Sequence, residues 1–331
     1  MRTFAFVVSP MTIKQLKTFW PPARIMPNFI IKLFLKDLPP FKLCHLRIKS
    51  IKHKEIQGHI IICPLLIQNE ESALDKIITC ANLAQRLGAK IVGLSGHAAF
   101  IANKEQNHIN KNLKIPVTTG SAFITWSVFE AVYRLSRTKN IDLKKSRLAI
   151  IGATNIIGGL CAKKLSDYSG SITLVGEDKE RLEQLKERIS QLNPIEITVE
   201  QDIQRAVKEA DIVVNANHTV EIANEDLKQN AIICNIFPPG TALKKQETGK
   251  NITVIAAGLV KLPFADNLDI NIGLPKGIAY ASLAEVMLLA FEEKFVTYSL
   301  GENINLEKSE EMADISARHG FEVWVPEAPV L

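Results

Sequence analysis

The sequence predicts an α/β fold with a doubly wound parallel sheet, on the strength of three observations. Beyond residue 147, short apolar runs alternate with segments of helical periodicity. The apolar runs are continuous, which is typical of strands covered on both faces of a parallel sheet. A glycine-containing turn joins the first of these strands to the helix after it. This arrangement is typical of Rossmann-like folds.

The predicted elements of this region follow one another along the chain. A long helix over 121–139, with apolar residues at helical spacing, comes first. Strands are predicted over 148–151, 171–175, 195–199, 211–214, 231–234 and 252–256, and helices over 157–166, 179–191 and 203–209. Two further helical patterns, near 280–294 and 306–318, occupy the C-terminal part.

The first 120 residues predict a separate N-terminal α/β domain. Strands are predicted over 4–8, 58–66 and 90–94, and an amphipathic helix over 70–87. Five prolines between residues 21 and 40 indicate that regular structure is interrupted there, because proline removes a backbone donor and fixes φ.

Composition excludes several classes of protein. With 47% hydrophobic and 23% charged residues, the chain matches an ordinary globular protein and not a disordered one. No apolar run reaches the ~18 residues that a membrane-spanning helix needs, and no signal-peptide pattern is found, so we expect a cytoplasmic protein. The five cysteines include no C-x-x-C pair, and no other metal-ligand spacing is present. We therefore expect neither disulfides nor a metal site.

Charge is distributed unevenly along the chain. Residues 1–60 contain eleven Lys and Arg but only Asp37 and Glu55, a net of +9, so the other residues sum to −4. A basic N-terminal region suits an acidic partner, such as a phosphate, an acidic carrier protein or an anionic membrane surface. Within it, residues 29–36 mix large apolar groups with lysines, which fits an interfacial helix or a core element with solvated lysines. No nucleic-acid partner is expected, since no motif typical of one is present.

The strongest chemical signal is the turn Gly152-Ala153-Thr154-Asn155-Ile156-Ile157-Gly158, between a predicted strand and a predicted helix. Gly152 permits a tight turn, and Gly158 allows the helix to pack closely on the strand. Backbone N–H groups at the helix start then face the pyrophosphate of a dinucleotide. Asn155 stands where related turns often carry a glycine, and asparagine tolerates left-handed backbone angles. We predict that these seven residues bind a dinucleotide; the alternative is a tight turn that binds nothing.

The second predicted strand is followed by a carboxylate at the position expected for ribose recognition. Glu177 lies 19 residues after Gly158. A carboxylate accepts hydrogen bonds from both ribose hydroxyls and repels a 2′-phosphate by roughly 1 to 4 kcal/mol at 4 Å. NAD is therefore favoured over NADP. Two alternatives stay open: Glu177 caps the following helix, or Lys179 accommodates a phosphate.

Four motifs stand at separate points of the chain: residues 117–120 (Val-Thr-Thr-Gly), the turn at 152–159, residues 284–292 (Ala-Glu-Val-Met-Leu-Leu-Ala-Phe-Glu) and residues 317–321 (Ala-Arg-His-Gly-Phe). In order and spacing they resemble the long-chain acyl-[acyl-carrier-protein] reductases. The resemblance implies reduction of a fatty acyl thioester to a fatty aldehyde with NADPH, through an acyl group held on a cysteine. Where that family carries an arginine for the 2′-phosphate and the acyl-accepting cysteine, this chain has Glu177 and Ser282.

Ser282 is thus a candidate catalytic residue, but a serine hydroxyl is far less acidic than a thiol and needs a general base beside it. Glu285, one helical turn later, could assist or could pair with a lysine. Without a thiolate, direct hydride attack on a thioester, or an aldehyde, ketone or imine substrate, stays open. A different cysteine could also serve: Cys234, at the end of a predicted strand, or Cys63, in the N-terminal domain.

Three histidines are candidates for functional groups. His218 is the candidate catalytic acid, because it follows the predicted strand 211–214 in a loop that should line the nicotinamide side. The alternative is an ordinary surface-loop histidine. His97, after another predicted strand, offers the same two possibilities. His319 is expected to be structural, since a cationic side chain at a helix end favours the helix dipole.

Together these observations predict an NAD(P)-dependent oxidoreductase that uses NAD or NADP to reduce a fatty acyl thioester or aldehyde, supplied as a small molecule or on an acyl carrier. The predicted organisation is an N-terminal substrate and carrier domain (1–120), a Rossmann dinucleotide-binding domain (121–265) and a C-terminal helical segment that closes the cleft (266–331). Two alternatives stay open: an enzyme like the shikimate or amino-acid dehydrogenases acting on a small polar substrate, and a catalytically inactive dinucleotide-binding module.

Overall fold

The computed structural model describes residues 2–10, 13–35, 38–52, 54–65, 70–217, 219–236, 243–244, 250–264 and 274–325. The chain forms two compact units. Unit 1 comprises Met1–Phe123 and Val260–Glu322, and unit 2 comprises Ile124–Leu259 and Val323–Leu331. Each unit therefore combines stretches that are distant in sequence, whereas the sequence analysis divides the chain into three consecutive segments.

Helices and strands alternate along most of the chain. The first part contains β1 (Thr3–Val8), α1 (Ile13–Phe19), α2 (Asn28–Leu35), β2 (Phe41–Lys49), β3 (Glu55–Ile62), α3 (Glu70–Arg86), β4 (Ile91–Leu94), α4 (Gly96–Lys104), α5 (Gln106–Asn112), β5 (Val117–Thr118) and α6 (Ser121–Thr138). The middle part contains β6 (Arg147–Ile151), α7 (Ile156–Ser166), β7 (Ser171–Val175), α8 (Lys179–Ser190), β8 (Glu196–Glu200), α9 (Ile203–Lys208), β9 (Ile212–Asn215), β10 (Ile222–Ala223), β11 (Ile232–Asn235), β12 (Leu243–Lys244) and β13 (Thr253–Ala256). The last part contains β14 (Leu259–Lys261), β15 (Ile278–Tyr280), α10 (Ala281–Phe291), α11 (Leu306–Arg318) and β16 (Glu322–Val323).

Unit 1 is built on a five-stranded sheet in the order β2-β3-β1-β4-β5. Its strands are parallel except β2, which runs antiparallel to β3. Apolar residues of α3 and α4 share one core with β1, β3 and β4, and α10 packs against the same three strands. Gly93 allows α10 to come close, because a Cβ there would lie 3.0 Å from Val286. All eleven residues of α10 are buried, so this helix is central to unit 1.

Unit 2 contains a six-stranded, fully parallel sheet in the order β13-β11-β9-β6-β7-β8. Numbered along the chain and read from the β8 edge, this is the order 3-2-1-4-5-6 of dinucleotide-binding sheets. Helices α7 and α8 contribute to the core on one face of the sheet, and α9 to the core on the other. The predicted Rossmann-like, doubly wound α/β fold is therefore confirmed.

The prolines between residues 21 and 40 predict interrupted structure, yet α2 forms there, which is the helical alternative left open for residues 29–36. The prolines lie outside it: Pro27 directly precedes the helix, and Pro39 and Pro40 follow its end. Proline is compatible with a helix start, where the missing N–H would have no partner. Among the helices in the described ranges, none is long and apolar enough to cross a membrane.

Candidate functional site

The order of the strands in unit 2 reverses between β6 and β9, which is where open α/β sheets bind their ligands. The turn from Gly152 to Gly158 follows β6 at this point. Gly152 has φ +77°, a left-handed conformation that glycine adopts without strain. A Cβ at Gly158 would lie 2.2 Å from the carbonyl oxygen of Gly152, so no larger residue fits there without displacing the backbone. Both glycines thus meet a geometric requirement of the turn.

Asn155 does not have the conformation that the sequence analysis expects. Its φ is −87°, so the turn makes no use of left-handed angles at this residue. Instead Asn155 is the N-cap of α7, and its Oδ1 accepts a hydrogen bond from the amide of Gly158 at 2.8 Å. Its Nδ2 donates to the carbonyl oxygen of Ala216 at 2.7 Å. Asn155 therefore connects the loop after β6 to the loop after β9, across the point where the strand order reverses.

The turn presents unpaired backbone donors. Its first two amides both donate to the carbonyl oxygen of Val175, at 2.9 and 3.0 Å. The amides of Thr154, Ile156 and Ile157 have no acceptor among the residues that the structure describes. Free N–H groups at a helix start carry partial positive charge and attract anions. The arrangement fits the pyrophosphate of a dinucleotide, although the assignment of these residues to cofactor binding stays a prediction.

Glu177 lies beside this turn. The residue before it, Gly176, packs against Thr154, since a Cβ at Gly176 would lie 3.0 Å from the Thr154 side chain. The side chain of Glu177 is exposed. The capping role considered for Glu177 is wrong: the N-cap of α8 is Asp178, whose Oδ1 accepts from the amide of Arg181 at 3.1 Å. With the helix capped by its neighbour, the Glu177 carboxylate is available for a ligand.

The predicted acid His218 lies outside the described residues, so its role stays a prediction. Two asparagine side chains hydrogen-bond backbone amides of the described residues next to it. Oδ1 of Asn215 accepts from the amide of Asn217 at 3.0 Å, and Oδ1 of Asn217 accepts from the amide of Thr219 at 3.0 Å. These bonds fix the backbone that leads from β9 toward residue 218.

Ser282 is the second residue of α10 in unit 1. It is 7% exposed and packs directly against Gly120, where a Cβ would lie 2.3 Å from the Cα of Ser282. Gly120 has φ +77°, so both its conformation and its lack of a side chain are required here. The Ser282 hydroxyl makes no hydrogen bond to any residue in the described part of the chain. No general base is thus placed beside it, and its catalytic role stays a prediction.

Glu285 has neither of the two roles considered from the sequence. Its side chain is fully buried; Oε1 accepts from the hydroxyl of Thr118, and Oε2 accepts from the amide of Phe123 at 2.9 Å. Burial raises the pKa of Glu285, while the hydrogen bonds from Thr118 and Phe123 act in the opposite direction. Glu285 therefore caps the start of α6 and does not contact Ser282 as a base.

A buried polar network extends from Glu285 through unit 1. The Thr118 hydroxyl also accepts from the amide of Ser299 at 3.2 Å. The Ser299 hydroxyl accepts from the amide of Ala122 at 3.2 Å, and its carbonyl accepts from the hydroxyl of Thr119 at 2.8 Å. The Val-Thr-Thr-Gly motif at 117–120, which the sequence marks only by its resemblance, thus has a physical role: Thr118 joins β5 to Glu285 of α10, and Thr119 joins the same segment to Ser299, which follows α10.

The alternative that Cys234 or Cys63 acts as the nucleophile is wrong. Cys234 is fully buried in the core of unit 2, and this burial raises its pKa to about 12. Cys63 is fully buried in the core of unit 1. A nucleophilic cysteine must be accessible and, at neutral pH, partly ionised. Cys234 meets neither condition, and Cys63 is not accessible.

The other two candidate histidines, His97 and His319, are buried. His97 is buried in α4 with its ring stacked on Phe100 at a centroid distance of 6.2 Å. His319 follows α11, is fully buried, and its Nε2 hydrogen-bonds Oε1 of Glu292 at 2.6 Å. Burial lowers the pKa of His319, and the bond to Glu292 opposes this. Within the same described ranges, no three His, Cys, Asp or Glu side chains come together to hold a metal.

Comparison with known proteins adds a distant relationship. No family model matches the sequence. The chain is 26% identical over 311 residues to a long-chain acyl-[acyl-carrier-protein] reductase of Synechococcus elongatus, covering 87% of this chain and 89% of that protein. It is 20% identical over 303 residues to the aminotransferase PigE of a Serratia species, covering 87% of this chain but 35% of that protein. The ligand-free 5-ketofructose reductase of a Gluconobacter species aligns with a TM-score of 0.39 and 11% identity, over 94% of this chain and 98% of that one.

Proposed function

We propose that this chain is a nicotinamide-dependent oxidoreductase that reduces an acyl thioester to an aldehyde. In this reaction a thioester, the reduced nicotinamide and a proton give an aldehyde, a thiol and the oxidised nicotinamide. One observation carries the proposal: three open amides stand where the strand order of a Rossmann sheet reverses, in a chain similar over 87% of its length to an acyl-[acyl-carrier-protein] reductase.

The residues of the turn fit a dinucleotide. The amides of Thr154, Ile156 and Ile157 would hold the pyrophosphate, and Asn155 keeps them in position by capping α7 and contacting Ala216. The exposed carboxylate of Glu177 would accept hydrogen bonds from the adenosine ribose and repel a 2′-phosphate, which favours NAD over NADP. When bound, the reduced nicotinamide supplies the hydride.

Ser282 is proposed as a hydrogen-bond donor to the substrate carbonyl. It lies in the first turn of α10, where backbone amides have no intrahelical acceptor and the helix dipole favours negative charge on an oxygen. Because no described residue acts as a base beside it, its hydroxyl stays protonated and donates instead of attacking. His218, which follows β9, is proposed to give a proton to the oxygen or to the leaving thiolate.

A second candidate, reduction of an aldehyde to an alcohol, follows from the same hydroxyl. A thioester reductase that forms an acyl-enzyme needs an activated nucleophile, and Ser282 has no hydrogen-bonded base in the described part of the chain. Reduction of an aldehyde needs only a carbonyl donor, a proton and a hydride. Because no base activates the Ser282 hydroxyl as a nucleophile, the site favours the reduction of an aldehyde to an alcohol.

The test has two stages. Nicotinamide fluorescence is titrated with NADH and NADPH, and acyl thioesters and aldehydes are then added while oxidation of the coenzyme is followed. We expect tighter binding of NADH and turnover of at least one of the two substrate classes. Binding without turnover of either class would favour an inactive dinucleotide-binding module, and turnover of small polar substrates alone would favour the dehydrogenase alternative. No binding of either coenzyme would reject the proposal.

Two variants at one position separate the candidate reactions. Ser282→Ala removes the donor and is expected to lower kcat by about a hundredfold, within the range for loss of one oxyanion donor. Ser282→Cys restores the residue type that the acyl-enzyme route uses and is expected to raise thioester reduction without raising aldehyde reduction. Unchanged kcat in Ser282→Ala would remove Ser282 from the reaction.

A further inference from the structure

Two large apolar side chains of unit 1 are exposed close together in sequence. Ile25 is 89% exposed and Phe29 is 71% exposed, and they lie on either side of Pro27, between a short 3₁₀ helix over Pro21–Arg24 and α2. Isolated apolar residues on a surface are ordinary. Here two bulky ones lie four positions apart, one directly after the 3₁₀ helix and one at the start of α2; we call Ile25 and Phe29 the apolar tip.

The segment that carries the apolar tip is anchored to unit 1. Leu16 and Ala23 are fully buried before the tip, and Ile31 is buried after it. The C-terminal end of α2 is fixed by Lys76 of α3, whose Nζ donates to the carbonyl oxygen of Leu35 at 2.7 Å. Ile25 and Phe29 are therefore exposed next to well-packed neighbours, and their exposure is a property of the folded surface.

Every charged residue in the segment from α1 to α2 is basic. The first acidic residue of the chain is Asp37, so the whole segment from α1 to α2 has no carboxylate side chain. The same segment carries Lys14, Lys17 and Arg24 before the tip and Lys32 after it. Basic residues combined with bulky apolar ones are typical of surfaces that lie in the interface of an anionic membrane.

We propose that the apolar tip and its basic neighbours dock this protein on an anionic phospholipid surface. Ile25 and Phe29 would enter the boundary between headgroups and acyl chains, and the lysines and arginine would attract the phosphate-bearing headgroups. Protruding apolar side chains suit a deformable lipid surface, whereas a protein partner must offer a pocket shaped to receive them. The inference is independent of the proposed reaction and of the cofactor site.

The experiment measures co-sedimentation of the full chain with vesicles of phosphatidylcholine alone and with phosphatidylglycerol added. We expect binding to the anionic vesicles that weakens as salt is raised, and at least about fivefold weaker binding to the neutral ones. The double variant Ile25→Ser, Phe29→Ser is expected to bind at least about tenfold more weakly, because two large apolar groups no longer leave water. Lys17→Gln is expected to bind about fivefold more weakly.

A matched control comes from unit 2. Leu192 is 70% exposed, as much as Phe29, so Leu192→Ser removes an equally exposed apolar group far from the tip in sequence. We expect Leu192→Ser to bind vesicles like the wild type, and all variants to keep the wild-type Tm. The proposal is overturned if the wild type does not bind anionic vesicles, or if the double variant binds them as well as Leu192→Ser does. Tip-dependent binding of an acidic carrier protein in place of vesicles would identify a different partner and would also overturn it.

Discussion

The starts of α6 and α7 differ in how their free backbone amides find hydrogen-bond acceptors. At both, backbone amides lack intrahelical acceptors and the helix dipole favours negative charge. At α6 the chain provides an acceptor itself, because Oε2 of the buried Glu285 accepts a hydrogen bond from the amide of Phe123. At α7 the chain provides only the neutral side chain of Asn155 and leaves three amides open in the described structure. A helix start is thus available to a ligand only where the fold has left its amides without an acceptor.

The largest expected effect is the loss of stability when the buried side chain of Glu285 is removed. Glu285→Ala leaves buried donors without an acceptor, including the Thr118 hydroxyl and the Phe123 amide, and creates a cavity. We expect the free energy of unfolding to fall by about 3–5 kcal/mol, measured by denaturant titration. Glu293→Ala is the control, because Glu293 is exposed and only pairs with Arg2, so a loss below about 1 kcal/mol is expected. Equal losses in the two variants would show that Glu285 is not a specific cap.

The second expected effect is a loss of coenzyme affinity when the turn at the start of α7 is disturbed. Gly158→Ala forces a Cβ to within 2.2 Å of the Gly152 carbonyl oxygen, so the turn must shift. We expect coenzyme affinity to fall by about a hundredfold or more, measured by fluorescence titration. Gly170→Ala is the matched control, since a Cβ there would also clash with backbone, 2.6 Å from the carbonyl oxygen of Lys144, outside the turn. If Gly170→Ala weakens binding as much, general destabilisation and not the turn explains the loss.

A third variant gives α7 a carboxyl side chain as its cap, like the one that caps α6. Asn155→Asp keeps an oxygen for the Gly158 amide but brings negative charge to the turn and loses the donor to Ala216. We expect coenzyme to bind about tenfold more weakly or worse, because the pyrophosphate is repelled. Asn155→Ala lacks both the cap and the charge and should bind better than Asn155→Asp. The reverse order would mean that no anion approaches these amides.

The fourth effect concerns which coenzyme the open site prefers. Glu177→Arg replaces the exposed carboxylate beside the turn with a group that pairs with a 2′-phosphate. We expect the ratio of NADH to NADPH affinities to shift toward NADPH by at least about fivefold. Glu180→Arg, a nearby exposed carboxylate in the first turn of α8, is the control and should leave the ratio unchanged. A wild-type protein that already prefers NADPH would contradict the assignment.

The smallest expected effect is a pH dependence of the stability that Glu285 contributes at the start of α6. Because burial raises the pKa of Glu285 from its ordinary value of 4.5, the folded protein keeps this proton when the unfolded chain has released it. The free energy of unfolding contributed by this group therefore falls as pH rises above 4.5. We expect the stability of the wild type minus that of Glu285→Gln to decrease between pH 4 and pH 7 in denaturant titrations. A difference that increases over this range would reverse the sign.

The sequence predicts unit 2 better than unit 1 for a physical reason. In β6, the residues from Leu148 to Ile151 are all buried in a parallel sheet, so they form a continuous apolar run that can be recognised in the sequence. Strand β2 is not predicted because it is an edge strand that, among the described strands, pairs with β3 alone. Its exposed Lys42, Arg47 and Lys49 hide the apolar pattern in the sequence. Helix α2 is predicted only as one of several alternatives for residues 29–36, because the prolines around it look like interruptions within it.

The candidate sites divide in the same way between local and distant requirements. The glycines of the turn can be predicted because each needs space against a residue a few positions away. The role of Asn155 cannot, because its partner Ala216 lies 61 positions further on, and that of Glu285 cannot, because Thr118 lies 167 positions before it. Cys234 is a candidate in sequence because it ends a strand, but no local pattern tells which face of that strand its side chain occupies.

The place of α10 in unit 1 has a consequence for biosynthesis. This helix packs on β1, β3 and β4, with Val286 near Phe6 across Gly93, yet it leaves the ribosome after every strand of the six-stranded sheet. During translation the larger sheet can close while β1 still lacks the helix that shields it. We therefore expect Phe6 to remain without its α10 contact until residues 281–291 have left the ribosome. A chain whose synthesis stops before that point exposes apolar surface of the kind that chaperones bind.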